Sequence, residues 1–245
     1  MEKIIKNIYN KNAQDYHQKI KSKEDIWHKF IEKPIIINFL KEEIKNKKVL
    51  DLGCGSGVFV KKIISLGAKN VKGFDLSSEL IKIAKKENPD IDFYVGNAQN
   101  TSFKNKEFDI VTSSLMAQYI KDLNKLFGEV SRILKKKGVF VFSMHHPIQE
   151  VSERLKINGK KSDTKVLLKP YFHNNMYKWK LKCKMNMISY HHTFEMIFNA
   201  LNKNGFVVEN LAEPRAPKKA EKYNKKIYDR SNRRPSFLII KARKK

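Results

Sequence analysis

The stretch Val49-Leu50-Asp51-Leu52-Gly53-Cys54-Gly55-Ser56-Gly57 decides the fold. Its first four residues read as a short, mostly apolar strand. Glycines at 53, 55 and 57 then let the backbone turn sharply and approach a ligand closely. Residues 58–66 continue as a helix that Gly67 stops. A ligand site outside the carboxyl end of the strand, facing a helix N-terminus that favours negative charge, is the expected result.

Downstream, strands and helices alternate. Strands are expected at 71–74, 91–95, 108–112 and 139–144, and helices at 77–87, with Ser77 as N-cap, and at 123–134, with Lys135-Lys136-Lys137 at its end. That order implies an α/β, doubly wound, mostly parallel sheet with helices on both faces. Upstream, residues 1–45 read as helical. Ser22 is a candidate N-cap ahead of Lys23-Glu24-Asp25, and Pro34 can open a helix with a stripe of Ile35, Ile36, Phe39, Leu40 and Ile44. Residues 145–190 break the alternation. Within them, residues 177–187 put apolar or aromatic groups at odd positions and Lys or Asn at even ones, the mark of a half-buried antiparallel strand. Trp179, Leu181 and Met185 would share one side. A helix at 194–202, a strand at 206–211, a basic loop with Pro214, Pro217 and Pro235, and a strand at 237–240 complete the chain.

A dinucleotide fingerprint would need glycine at position 58 or 60, where valines stand, and a P-loop would need G-K-[ST], which is absent. The Asp51, Gly53, Gly55, Gly57 run instead resembles the first motif of class I S-adenosylmethionine-dependent methyltransferases, and the resemblance extends along most of the chain. It implies a seven-stranded Rossmann-like sheet, S-adenosylmethionine as cofactor and S-adenosylhomocysteine as product. Within that resemblance, Gly53, Cys54, Gly55 and Gly57 cradle the cofactor, and Asp51 anchors the turn and helps bind the methionine amino group. Asp75, with Leu76, looks like the strand-end motif whose carboxylate accepts from both ribose hydroxyls. Asn97 and Ala98 look like the adenine-contacting pair, with Asn97 departing from the family's frequent Asp. The segment ending in Ser113 looks like the fourth-strand motif lining the methionine moiety. Residues 145–190 match the family's substrate cap. The first 45 residues, with Tyr9, Tyr16 and Trp27, match a lid ahead of a methyltransferase domain at 46–245.

Two histidine pairs are candidates for a general base. His145-His146 follows the fifth strand, at the cofactor edge, and His191-His192 precedes a helix. His146, fixed by Pro147, and His191 are the catalytic candidates. No Cys or carboxylate ligands stand at familiar zinc spacing, so no metal is expected.

The formal charge of +26 invites a nucleic-acid reading, but only seven of 51 basic residues are Arg and the lysines are spread along the whole chain. The fourth strand also lacks the [DN]-P-P-[YFW] motif of base-amine methyltransferases, and no Pro-Cys nucleophile is present. A small-molecule acceptor is therefore the leading expectation. A nucleic-acid methyltransferase and a non-catalytic cofactor-binding scaffold are the alternatives. Two cysteines, no apolar leader and no apolar run of membrane length fit a cytoplasmic protein.

Overall fold

The computed structural model describes residues 2–22, 25–157, 160–173, 176–180 and 185–245. The expectations for Lys23, Glu24, Leu181 and Cys183 lie outside the described residues. In chain order the elements are α1 (Glu2–Lys11), α2 (Ala13–Lys21), a π-helical segment (Trp27–Glu32), α3 (Lys33–Leu40), β1 (Lys48–Leu52), α4 (Val58–Ser65), β2 (Asn70–Asp75), α5 (Ser78–Glu87), β3 (Asp92–Val95), β4 (Phe108–Ser113), α6 (Leu123–Ile133) and β5 (Leu134–His145). The chain continues through α7 (Pro147–Val151), β6 (Ser152–Ile157), β7 (Lys160–Leu168), β8 (Met176–Lys180), β9 (Asn186–Tyr190), α8 (Phe194–Lys203), β10 (Phe206–Ala212), α9 (Lys225–Arg233) and β11 (Phe237–Lys244).

Seven strands form one sheet in the order β10-β11-β5-β4-β1-β2-β3. β11 runs antiparallel to both its neighbours, while β5, β4, β1, β2 and β3 are mutually parallel. Alternation along the strands sorts residues to two cores. Leu50, Val111, Phe140, Phe142 and Ile240 meet α6 and α8 on one face. Val49, Ile110, Val139, Val141 and Ile239 meet α3, α4 and α5 on the other. Each such side chain, removed from water, stabilises the fold by roughly 1.5–3 kcal/mol. The helices after β1 and β4 pack on opposite faces, so the adjacent carboxyl ends of those strands open a crevice.

Local expectations fail where the sequence signal was ambiguous. Ser22 is the C-cap of α2, not an N-cap. Its backbone carbonyl accepts from the Asp25 N–H, and the Asp25 carboxylate instead takes the His28 ring, 2.6 Å from Nδ1. Lys135-Lys136-Lys137 belongs to β5, because α6 already ends at Ile133. The alternating segment 177–187 is not one strand but parts of two, β8 and β9, paired antiparallel with Trp179 opposite Met187. Period-2 alternation survives a hairpin, so the pattern alone did not reveal the reversal. Likewise the proline-bearing loop contains α9, whose N-cap Asn224 accepts from the Ile227 N–H.

Candidate active site

Gly53, Gly55 and Gly57 all have positive φ, at 81°, 55° and 74°. The turn is hooked to the end of β2: Gly53 N–H donates to the Phe74 carbonyl (2.7 Å), as does Cys54 N–H (3.1 Å). A Cβ on Gly53 would lie 2.7 Å from Met116 Cγ, so only glycine permits this approach. Asp75 ends β2 with its carboxylate shared between two backbone donors, Gly55 N–H on Oδ2 (2.9 Å) and Ser77 N–H on Oδ1 (2.8 Å). Burial raises its carboxyl pKa, and those donors oppose the rise.

Gly53, Gly55, Asp75, Leu76, Asn97 and Ala98 all face one cavity of about 220 Å³. Ser114, Leu115, Met116 and Tyr119, just past β4, form its opposite wall. Leu115 sits at φ 50°, an uncommon conformation for a non-glycine residue. Its N–H donates to the Ser143 carbonyl (3.1 Å) and Oγ (3.0 Å), and its carbonyl accepts from Gln118 Nε2 (2.6 Å). Glu32 supports this turn from behind. Fully buried at the end of the π-helical segment, it accepts from Ser114 Oγ (2.8 Å) and Ser143 Oγ (2.6 Å).

α1 and α2 cover the cavity. Tyr9, Tyr16 and Ile5 line it, while Tyr9 Oη donates to Tyr119 Oη (3.0 Å). Asn97 Nδ2 donates to Glu2, Ser77 Oγ donates to Asn10, and His17 Nδ1 lies 2.8 Å from Ser56 Oγ. Burial pushes the phenol of Tyr119 up to about 12, and that of Tyr16 higher still, so both stay neutral. Trp27 is elsewhere, edge-on to Phe237.

Six sequence-chosen residues do not face the cavity. Asp51 is 2 % exposed and accepts from Thr112 Oγ1 (3.0 Å); burial lifts its carboxyl to about 6, against the pull of Lys33 and Thr112. Cys54 packs behind the turn, where its Sγ fills the space beside Gly73, and burial raises its thiol pKa. A Cβ on Gly57 would meet Asn88 Nδ2 at 2.9 Å and Phe93 Cζ at 3.0 Å, and Ser113 is fully buried inside β4. His146 accepts from Ile148 N–H at Nδ1 (3.1 Å), capping α7, and its Nε2 lies 2.7 Å from Glu213. Burial lowers its pKa. His191 Nε2 donates to the Tyr171 carbonyl (2.8 Å), while its Nδ1 lies 3.6 Å from Glu150, which His145 also faces at 3.4 Å. Both catalytic candidates are thus engaged away from the cavity. Leu115, Met116, Tyr119 and Tyr190 line it instead. Their signal was adjacency, just past the fourth strand and just before His191. The described residues hold no cluster of three or more metal-ligating side chains.

The cradle fits a nucleoside bearing an amino-acid tail. Gly55 offers bare backbone to the cavity, where an added Cβ would meet only Tyr16 at 3.7 Å, and a diol finds a two-oxygen acceptor in Asp75. Residues 50–142 match the family described as a methyltransferase domain. The chain is 29 % identical to an uncharacterised protein of Haemophilus influenzae, over 97 % of each chain. It is 33 % identical to the ubiquinone biosynthesis O-methyltransferase of Pelagibacter ubique, over 43 % of this chain and 50 % of that one. The crystal structure of an S-adenosylmethionine-dependent methyltransferase from Mesorhizobium loti superposes with a TM-score of 0.74 at 27 % identity, covering 86 % of this chain and 96 % of that one. The chain is an S-adenosylmethionine-dependent methyltransferase that resembles the class I enzymes in fold. S-adenosylmethionine is its cofactor. No helix among the described residues is long and apolar enough to cross a membrane.

Proposed function

We propose that the protein methylates a small molecule, with α1 and α2 acting as a lid over the cofactor and residues 145–190 as the substrate cap. The observation that carries this reading is that the glycine turn, Asp75 and Asn97 share one cavity with a wall of neutral phenols and apolar side chains. A flat or apolar acceptor suits Tyr9, Tyr16, Leu115, Met116, Tyr119 and Tyr190, and a quinone-pathway relative is consistent with that class.

Bound S-adenosylmethionine supplies an electrophilic methyl group carried on a sulfonium. In this reading Asp75 accepts from the ribose hydroxyls, with Leu76 beside it. Asn97 and Ala98 meet the adenine, and the backbone of Gly53 and Gly55 approaches the amino-acid tail. Cys54 and Gly57 shape the turn from behind. Asp51 and Ser113 stand one layer back, holding the ends of β1 and β4 rather than touching the ligand. The tyrosines exclude water and orient the acceptor. Holding a nucleophile about 3–3.5 Å from the methyl carbon contributes roughly 7–11 kcal/mol toward lowering the barrier. His146 and His191 hold the cap and the end of β5, and methyl transfer relies on positioning.

Isothermal titration with S-adenosylmethionine and S-adenosylhomocysteine tests the cofactor site, and one-to-one saturation by both is expected. A panel of small aromatic and apolar acceptors then tests the substrate class. Turnover on mixed RNA with none on that panel would overturn the small-molecule reading.

A further inference from the structure

Lysines run along the whole chain, but their acidic counterparts do not. Residues 145–190 carry ten Lys or Arg against three Asp or Glu, and residues 213–234 carry nine against three. These two stretches, just over a quarter of the chain, hold +13 of the net +26. Arg154, Lys226 and Arg230 have partners within the fold, and without them the excess is still +10. The stretches are neighbours, because α9 packs against β7. Lys165, Lys178 and Lys180 on the first, and Lys219, Lys222 and Arg233 on the second, are exposed and have no acidic partner among the described residues.

An exposed apolar rim runs through the first stretch. Leu167 and Leu168 end β7, each more than half exposed, and Phe172, a few residues on, is 87 % exposed. Lys169 lies between them, paired with Glu153 (3.0 Å). On β8, alternation puts Met176, Lys178 and Lys180 together on the outer face. Tyr177 and Trp179 turn inward, to the rings of His191 and His145. The two parts of the rim adjoin. The Tyr171 carbonyl accepts from His191 Nε2 (2.8 Å), and Met176 pairs across the hairpin with Tyr190. Tyr190 is also a wall of the cofactor cavity, so the rim stands beside that cavity.

Adjoining apolar side chains left in water mark a surface that something covers. Here they are interleaved with unpaired ammonium groups, which selects the cover. At the boundary of an anionic bilayer, acyl chains take Leu, Phe and Met while headgroup phosphates take the lysines. Nucleic acid matches the charge but not the rim. Bases stack on aromatic faces, and three of the four exposed apolar groups are aliphatic.

We propose that the outer face of the cap, with Leu167, Leu168, Phe172, Met176, Lys178 and Lys180, docks on the surface of an anionic phospholipid bilayer, assisted by the basic side of α9. The docking is peripheral: the apolar groups enter to headgroup depth and no segment crosses. It sets the cavity against the phase in which an apolar acceptor dissolves. That last consequence rests on the acceptor class proposed above, and the docking itself does not.

Vesicle flotation tests it, using the full chain and vesicles of phosphatidylcholine alone or mixed with phosphatidylglycerol. Wild type should bind the mixed vesicles saturably and leave pure phosphatidylcholine unbound, and added salt should weaken the binding. Leu168→Ser combined with Phe172→Ser should weaken it about tenfold or more. Lys178→Glu combined with Lys180→Glu should weaken it by about as much. Phe198→Ser, which alters an exposed aromatic on α8 outside the cap, should bind as wild type does. Circular dichroism verifies that each variant is folded. The proposal is overturned if wild type ignores the anionic vesicles. It is equally overturned if the Leu168/Phe172 variant binds them undiminished, since charge alone then suffices. Preference for mixed RNA over the vesicles, shared by that variant, would reassign the surface to nucleic acid. A wild-type dimer in sedimentation that the same variant dissolves, without vesicle binding, would reassign it to a second copy of the chain. None of these readouts needs turnover. Vesicle binding beside a failed acceptor panel would therefore sink only the acceptor class, and the converse only the docking.

Discussion

The glycine turn and the histidine-bearing end of β5 lie on the same edge of one sheet, yet they are built from different materials. At the turn the partners are backbone: Gly53 and Cys54 N–H on the Phe74 carbonyl, Gly55 and Ser77 N–H on Asp75. At the end of β5 the partners include side chains brought from far along the sequence, such as Glu213 on His146. A backbone-built site is written in a few consecutive residues. A side-chain-built one is written across the whole chain.

Removing the carboxylate that both backbone donors share should have the largest effect. Asp75→Ala is expected to weaken S-adenosylhomocysteine binding about 10–150-fold, the equivalent of one charge-assisted hydrogen bond of roughly 1.5–3 kcal/mol. Titration calorimetry reads it, and an unchanged affinity would remove Asp75 from the site.

Asp51 and His146 sharpen the contrast through pH. The folded-state pKa of Asp51 is raised to about 6 by burial, above the ordinary aspartate value of 3.8. Its contribution to stability is therefore full below about pH 4 and is lost as pH rises through about 6. Asp51→Asn removes that loss, so relative to wild type it should gain up to about 3 kcal/mol at pH 7.5 and much less at pH 4. Urea unfolding at the two pH values checks the sign. His146 behaves in the opposite sense. Burial depresses its pKa below the ordinary 6.5, so its contribution is present above that pH and is lost as pH falls through the folded value. His146→Ala should cost about 1–2 kcal/mol at pH 7.5, from the lost cap of α7 and the contact with Glu213, with cofactor affinity unchanged. A catalytic His146 would instead abolish turnover at unaltered stability.

The smallest effect belongs to α1. Tyr9→Phe removes one hydrogen bond to Tyr119 and should cost about 1 kcal/mol. Hydrogen exchange of α1 would show it as faster opening with the sheet unaffected.

The same contrast explains what could be read from the sequence. β1, the glycine turn, Asp75 and the N-cap at Ser77 were legible because each is specified within a few residues. The sequence also supplied the strand-and-helix alternation that sorts residues between the two cores. It did not supply the fate of His146 and His191. A histidine at a strand end carries no local sign of whether its nitrogens meet a ligand, a helix N–H or a distant carbonyl. The β8–β9 reversal was hidden because alternation is indifferent to a turn, and α9 because prolines and lysines masked a sequence with few apolar residues. Asp51 and Ser113 show that a motif residue can sit behind the surface that the motif builds.

The contacts of α1 and α2 have a kinetic consequence. Glu2 to Asn97, Asn10 to Ser77, Tyr9 to Tyr119 and His17 to Ser56 bridge the helices to the cradle on several sides. With α1 and α2 as the proposed lid, a bulky product leaving that cradle waits until these bridges part together, an event timed by the helices and not by the chemistry beneath them. On that reading turnover has a clock set by α1 and α2, and loosening any one bridge would quicken exchange before it measurably changed equilibrium affinity.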